Sequence, residues 1–366
     1  MRMRRPWRAL GMMSGTSLDG IDAALIESDG AQTVVPGRWR TEPYSADLRA
    51  RLRAVLGGVG DVAAVERALT LAHAEAACRL LAEAGIGAAE VEVIGFPGHT
   101  IAHRPEDGIT WQIGDGALLA EVTGIDVVCD FRRRDLAAGG QGAPLVPLYH
   151  AALAARLDQP LAVLNLGGVA NLTLVDESRP RTAFDTGPGV ALIDDWVRRE
   201  LGLAFDRDGA VAAGGQVDEA RLTALMKHPY FTRPPPKSLD RDAFAGASAG
   251  LSPSVGAATL TAFTAAAVAA AVRHLPALPR RWVVAGGGRR NATLMGALES
   301  RLAAPVVVAE TIGWAGDALE AQAFAYLAIR ALRGWPLSLP ETTGVARPVT
   351  GGALYRAATR RLRPRS

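Results

Sequence analysis

Lysine is almost absent from this chain. Only Lys227 and Lys237 occur, so all but two of the 40 basic residues are arginine. Set against 37 acidic residues they leave a formal charge of +3, small for 366 residues. That balance disfavours a nucleic-acid-binding module, and the arginine and alanine bias reads as coding composition rather than as a partner signal. Cysteine is scarce too: Cys78 and Cys129 cannot build a disulfide framework or a structural zinc site, which points to a reducing, cytoplasmic setting. The longest apolar stretch, residues 260–272, reads as too short and too alanine-rich to cross a bilayer, so no membrane is expected. The basic start MRMRRPWRAL runs into GMMSGTSLDG rather than into an apolar segment with a cleavage site, so no export is expected. The basic tail RRLRPR lacks interleaved aromatics and reads as a solvated end. Motifs are missing as well: there is no G-x-x-x-x-G-K-S/T loop, no G-x-G-x-x-G fingerprint and no G-x-S-x-G elbow. His99 and His103 are four apart, but Pro97, Gly98 and Pro105 oppose the helix that a zinc pair would need.

What is present is an ordinary globular balance, 49% hydrophobic and 21% charged, in a chain long enough for two domains. Strand-like runs occur at residues 23–27, 91–96, 126–129, 161–166, 171–175, 182–185, 282–285 and 306–309. Helical periodicity covers 61–85, 191–200, 253–274, 291–303 and 316–332. Asp61 can cap the first of these helices and Gly85 can end it. The proline-rich stretch 229–238 must be irregular or extended. Strands alternating with helices predict an α/β fold. The breaker cluster GGQGAP, 139–144, marks the expected domain boundary.

Four glycine-rich turns at strand ends stand out: residues 11–20, 165–171, 184–189 and 285–291. Glycine lets the backbone approach a ligand, and successive N–H groups can cradle phosphate oxygens. Ser14, Thr16 and Ser17 add hydroxyls, and Asp19 adds a carboxylate able to hold Mg²⁺ directly or through water. Asp185 closes a strand just before Thr-Gly-Pro-Gly; that place suits a general base and equally suits an Asx-turn or helix cap. Arg132 to Arg134 follow a strand, where an arginine can grip a carboxylate or phosphate bidentately. Glu320 lies on a helix behind a small-residue segment.

GMMSGTSLDGIDAAL, WQIGDGALLAEVTGIDVVCDFRRRDLAAGGQGAPLVP, NLGGVANLT, FDTGPG, PYF…PPKS, AGGGRRNATLM and GDALEAQAFAYLAIRAL together resemble the anhydro-N-acetylmuramic acid kinases, in order and over essentially the whole chain. The resemblance implies two actin/hexokinase-like, ribonuclease H-like α/β domains with mixed sheets around a central nucleotide cleft, closing around the sugar. The expected division is 1–138, completed by 345–366, and 139–344. It implies an ATP- and Mg²⁺-dependent kinase that opens the 1,6-anhydro bridge with water and phosphorylates O6, in recycling of wall material; a homodimer fits. Carried over residue by residue, Asp185 resembles the base. Gly11, Ser14, Gly15, Thr16, Ser17, Leu18, Asp19 and Gly20 match the first phosphate loop, with Asp19 toward the metal. Asn165, Gly167 and Gly168 match the second, and Gly286, Gly287 and Asn291 the nucleoside loop. Thr100, His99, Arg134 and Glu320 fall on the substrate side.

The chain departs from the family pattern at Pro97-Gly98-His99-Thr100, where relatives carry His-Gly-Gln-Thr, at Val190, and at Leu239-Asp240 after Ser238. His99 in place of glutamine keeps a hydrogen-bonding group. Two further readings stand beside the first: a sugar kinase acting on an ordinary hydroxyl, and an ATPase scaffold. The second of these calls for a peptide-binding domain or assembly insertions, and the kinase-like blocks leave no chain for them.

Overall fold

Each half of the chain starts with a three-stranded antiparallel meander and then crosses over to parallel strands. The computed structural model describes residues 6–15, 18–178 and 182–358. They fall into two units, 1–155 with 317–366, and 156–316.

In the first unit, β1 (Trp7–Met13), β2 (Gly20–Ser28) and β3 (Val34–Pro43) form the meander. β4 (Val93–Gly95) lies parallel beside β1. β5 (His99–Arg104) and β6 (Ile109–Ile113) make a separate hairpin. β7 (Val127–Cys129) continues the main sheet parallel to β4, and the late strand Ala353–Tyr355 closes it antiparallel. In the second unit, β8 (Leu161–Leu166), β9 (Val169–Val175) and β10 (Thr182–Pro188) form the meander, with β11 (Arg281–Ala285) and β12 (Val306–Val308) parallel on the other side of β8. The orders β3-β2-β1-β4-β7 and β10-β9-β8-β11-β12 are the same, with the same strand directions. Each unit therefore has the ribonuclease H-like sheet expected of it.

The helix Val62–Ala84 forms as its caps dictate. Asp61 accepts the Ala64 N–H, and Gly85 ends the helix at φ +66°. Its buried side, with Val65, Leu69 and Leu80, faces the first unit's core. The helix Leu319–Leu332 returns to the same unit and packs on β1, β2 and β4. Two strand glycines make room for it. A Cβ at Gly11 would stand 1.7 Å from the Ala321 carbonyl oxygen, and one at Gly95 would stand 2.1 Å from that of Phe324. Gly11→Ala is therefore expected to cost about 3 kcal/mol or more of stability, seen as a lowered urea midpoint. An unchanged midpoint would contradict this packing.

The units divide elsewhere than the glycine cluster at 139–144 suggested. Those residues are tied inside the first unit: the Asp135 carboxylate accepts the Gly142 N–H at 2.6 Å, and the Gln141 N–H donates to the Thr343 carbonyl at 2.7 Å. The apolar stretch at 260–272 is also part of something longer. The helix Pro253–Ala271, with its last turn to His274, is long and apolar enough to span a bilayer by length and composition. Most of it is buried in the second unit, against β10 and neighbouring helices, as a core helix would be.

Candidate active site

In the first unit the end of β1 carries Ser14, almost fully buried, in a bridge to His99. The Ser14 hydroxyl lies 2.5 Å from the Tyr44 hydroxyl and 2.7 Å from His99 Nδ1, in one hydrogen-bonded chain. His99 has no exposed surface and its Nε2 has no partner among the described residues. It supports the loop's serine and does not line open space. Burial pulls its pKa down to about 4, so the ring is neutral at physiological pH. After Ser14 the chain passes through Gly15 to Leu18, whose N–H donates to the Gly15 carbonyl and whose φ is +60°. Thr16 and Ser17 lie outside the described residues. Asp19 is exposed; its carbonyl accepts from Tyr44 N–H and Arg49 while the carboxylate stays on the surface. Gly20 opens β2 against the Glu42 carbonyl, which a Cβ would approach to 2.2 Å.

Thr100 sits on β5 opposite Gln112 of β6, whose side-chain amide donates to its hydroxyl at 3.2 Å. The three arginines separate by partner. Arg132 donates to the Gly142 carbonyl and Arg133 pairs with Asp130. Arg134 is exposed and donates to the neutral Thr350 hydroxyl at 3.0 Å. Glu320 is half-buried in the first turn of the helix Leu319–Leu332.

Asp22, on β2, was not legible as a site residue. Burial pushes its pKa up to about 7 against the opposing Thr41 hydroxyl bond, and the carboxylates of Asp317, Glu320 and Asp19 add to the rise. Glu320 and Asp19 thus share an acidic neighbourhood with a carboxyl that holds a proton near neutrality. No group of three or more His, Cys, Asp or Glu among the described residues is placed to hold a metal ion by itself.

In the second unit the turns converge through their backbones. The Gly167 carbonyl accepts the Val190 N–H at 2.9 Å, and the Gly168 carbonyl accepts that of Gly189 at 3.0 Å. Asn165 and Asp185 both pair in register with Asn171, one from each side. Gly286, at φ +77°, lies against Asn165, where a Cβ would meet Oδ1 at 2.4 Å. Gly287 is exposed with open space above it. Asn291 caps the helix Ala292–Glu299 by accepting the Leu294 N–H, so its side-chain oxygen has a structural task. Arg289, which the sequence did not single out, clamps this loop. It donates to the Gly286 carbonyl at 2.9 Å and to Glu310 at 2.7 Å, and Glu310 also takes the Gly316 N–H at 3.1 Å. Burial is the largest influence on the Glu310 pKa and raises it, but the bonds and charge of Arg289, with the backbone N–H groups of Glu310 and Gly316, together hold it below the usual carboxylate value.

Asp185 sits on β10 beside a bulge, 9% exposed. Three hydrogen bonds from one segment hold it: Leu239 N–H donates to Oδ2 at 2.9 Å, the Tyr230 hydroxyl donates to its carbonyl at 2.5 Å, and its own N–H donates to the Lys237 carbonyl at 3.1 Å. A nearly buried carboxylate with one oxygen fixed by an N–H is able to take a proton from a bound water at a defined angle.

A family model described as "Anhydro-N-acetylmuramic acid kinase" matches residues 7–357. Curated relatives carry the same description. One from Rhodospirillum rubrum is 56% identical, covering 96% of this chain and 95% of its own. One from Paramagnetospirillum magneticum is 56% identical over 94% of this chain and 98% of its own. One from Acidiphilium cryptum is 56% identical over 95% of this chain and 98% of its own.

Proposed function

The chain belongs to the anhydro-N-acetylmuramic acid kinase family, and on that premise we propose that it is an ATP-dependent kinase converting 1,6-anhydro-N-acetylmuramic acid to N-acetylmuramic acid 6-phosphate. Asp185 carries the reading: it lies within β10 rather than at the strand end that the sequence suggested, it is only slightly exposed, its Oδ2 accepts the Leu239 N–H, and its backbone is tied to Tyr230 and Lys237. Water attacks the anomeric carbon and gives a proton to Asp185. The C1–O6 bond breaks as the new C1–O bond forms. O6 takes the freed electron pair to the γ-phosphorus of ATP, and ADP leaves with the bridging oxygen. One base is enough, because the leaving O6 is itself the acceptor and carries no proton to be removed.

Roles divide by unit. In the first, Ser14, Gly15, Leu18 and Asp19 of the turn between β1 and β2 are assigned to the ATP phosphates, and the buried Tyr44–Ser14–His99 chain fixes where that turn begins; Gly11, expected in the same loop, lies instead inside β1 under the helix Leu319–Leu332 and serves packing. Asp19 would hold magnesium through water, and the ion when bound neutralises charge on the phosphate oxygens. Thr100 and Glu320 are sugar contacts. Arg134, free of a carboxylate among the described residues, suits the substrate's lactyl carboxylate. In the second, Asn165, Gly167, Gly168, Gly286 and Gly287 approach ATP, with Asn291 bracing the last turn. The work is placed in the cytoplasm, where ATP is supplied, and a homodimer remains part of the reading.

The direct test is phosphate transfer from Mg·ATP to 1,6-anhydro-N-acetylmuramic acid compared with open-ring N-acetylmuramic acid. Phosphorylation of the anhydro sugar with little of the open form is expected. The reverse preference would replace this reading by the ordinary-hydroxyl kinase. Because Arg289 clamps the Gly286 turn with charged hydrogen bonds, Arg289→Ala is expected to raise the KM for ATP roughly 10-fold or more while the sugar KM holds. Steady-state kinetics with each substrate varied checks it; an unchanged ATP KM would contradict the clamp's role.

A further inference from the structure

The PYF…PPKS block ties down Asp185 through Tyr230 and the backbone of Lys237, but the Lys237 side chain has no task in the reading above. Of the two lysines, Lys227 is exposed and Lys237 is 2% exposed. A lysine is rarely buried without a partner, because removing an ammonium from water is costly. Lys237 Nζ donates to the Tyr230 carbonyl at 3.0 Å and stands 4.6 Å and 5.5 Å from the ring centroids of Tyr230 and Phe184. Burial, with Arg233 and Arg273 nearby, pulls its pKa down to about 8, and Asp185 opposes the fall.

The bond from Lys237 to Tyr230 runs between the two ends of a loop. Within that loop Pro234, Pro235 and Pro236 have no N–H, so the segment cannot hold itself by a backbone ladder. The ammonium closes it instead. Three ties run from this segment to Asp185: Tyr230 through its hydroxyl, Lys237 through its carbonyl, and Leu239 through its N–H on Oδ2. An apolar side chain would fill the same space without the desolvation cost, so packing alone does not account for a lysine here.

We propose that Lys237 is a positioning residue: its ammonium staples residues 230–239 and so holds the Leu239 N–H on Asp185, fixing the rotation of the carboxylate toward the attacking water. This rests on Asp185 being the base. Lys237 touches neither sugar nor nucleotide in this assignment, and it acts on the rate of the chemical step and not on binding.

The experiment compares Lys237→Met and Tyr230→Phe in the wild-type and the Asp185→Asn backgrounds, by single-turnover and steady-state kinetics, with near-UV circular dichroism to establish the fold. Lys237→Met is expected to lower kcat about 10- to 100-fold, with both KM values within about twofold. Tyr230→Phe is expected to lower kcat less, also at constant KM. Neither is expected to lower the residual rate further once Asp185 is Asn, because residues acting through one group are non-additive. A folded Lys237→Met with wild-type kcat overturns the proposal, as does an equal fractional loss in both backgrounds, which is what general destabilisation gives. If Lys237→Met is recovered unfolded, Lys237→Gln decides: it keeps a polar side chain there but removes the ammonium, and a wild-type kcat in that folded variant overturns the proposal. A wild-type kcat in Asp185→Asn alone removes the base assignment itself, a different failure from either of these.

Discussion

Asp185→Asn is expected to lower kcat by about 10²–10⁴-fold while leaving the KM for both substrates near its wild-type value. Asparagine keeps the shape of the side chain and an oxygen able to accept the Leu239 N–H that now bonds to Oδ2. What it loses is the capacity to take a proton. The fold should survive, since the Tyr230 and Lys237 bonds go to the Asp185 backbone and are untouched by the change. The loss should appear equally in product phosphate and in ring-opened sugar, because both follow from one attack by water. Kinetics on the purified variant measures this. A kcat within a few-fold of wild type would mean that the proton goes elsewhere, and a large rise in sugar KM at constant kcat would make Asp185 a binding group only.

Acid should unfold the first unit well before it affects exposed carboxylates. Three histidines there are almost completely buried. Burial draws His73 and His99 down to about 4 and His150 to about 3. A histidine with a lowered folded pKa is neutral in the native state while the unfolded chain takes up a proton. Its stability is therefore fully present above pH 6.5 and is lost as pH falls from there toward 4. Each contributes on the order of 3 kcal/mol, so together they rival the whole stability of a domain. Asp22 works the other way. With its folded pKa raised to about 7, it holds a proton that the unfolded chain gives up above the ordinary carboxyl value of 3.8, and it weakens the fold as pH rises through that window. Asp22→Asn is expected to raise the urea midpoint more at pH 8 than at pH 5, where the native carboxyl is still protonated. Urea titrations of the wild type between pH 8 and 4.5 should show the midpoint falling steeply below pH 6.5. A flat midpoint across that range would contradict the neutral burial of these rings.

The elements legible in the sequence were those with local signals. The helix Val62–Ala84 has its cap and stop glycine in the chain itself. The hairpin of β8 and β9 turns at the expected glycines. Two strands of the first meander were not legible, for tertiary reasons. β1 carries Gly11 where a packed strand would carry a branched residue, because the backbone of the helix Leu319–Leu332 passes directly over it. β3 is an edge strand, mostly exposed and interrupted by Pro36 and Gly37, and reads as loop. The return of the last helix to the first unit also leaves no mark in the local pattern. Among the site residues, the glycine turns announce themselves, but their supports do not. Tyr44 reaches Ser14 across 30 positions, and Arg289 reaches Glu310 across 21. His99 was legible as a departure from the family pattern and as a polar group near the substrate side. Its actual partner, the Ser14 hydroxyl, is 85 positions away.

The most direct test of coupled ring opening is turnover of 1,6-anhydro-N-acetylmuramic acid with Mg·ATP in ¹⁸O-labelled water, read early by mass spectrometry against a blank of unlabelled product, since a free anomeric hydroxyl exchanges. The reading predicts one ¹⁸O at the anomeric carbon, none in the phosphate bridge to O6, and loss of this product with Asp185→Asn. Phosphorylated sugar without the anomeric label, or label in the phosphate and not in the sugar, would show that water does not open the ring in the phosphoryl-transfer step.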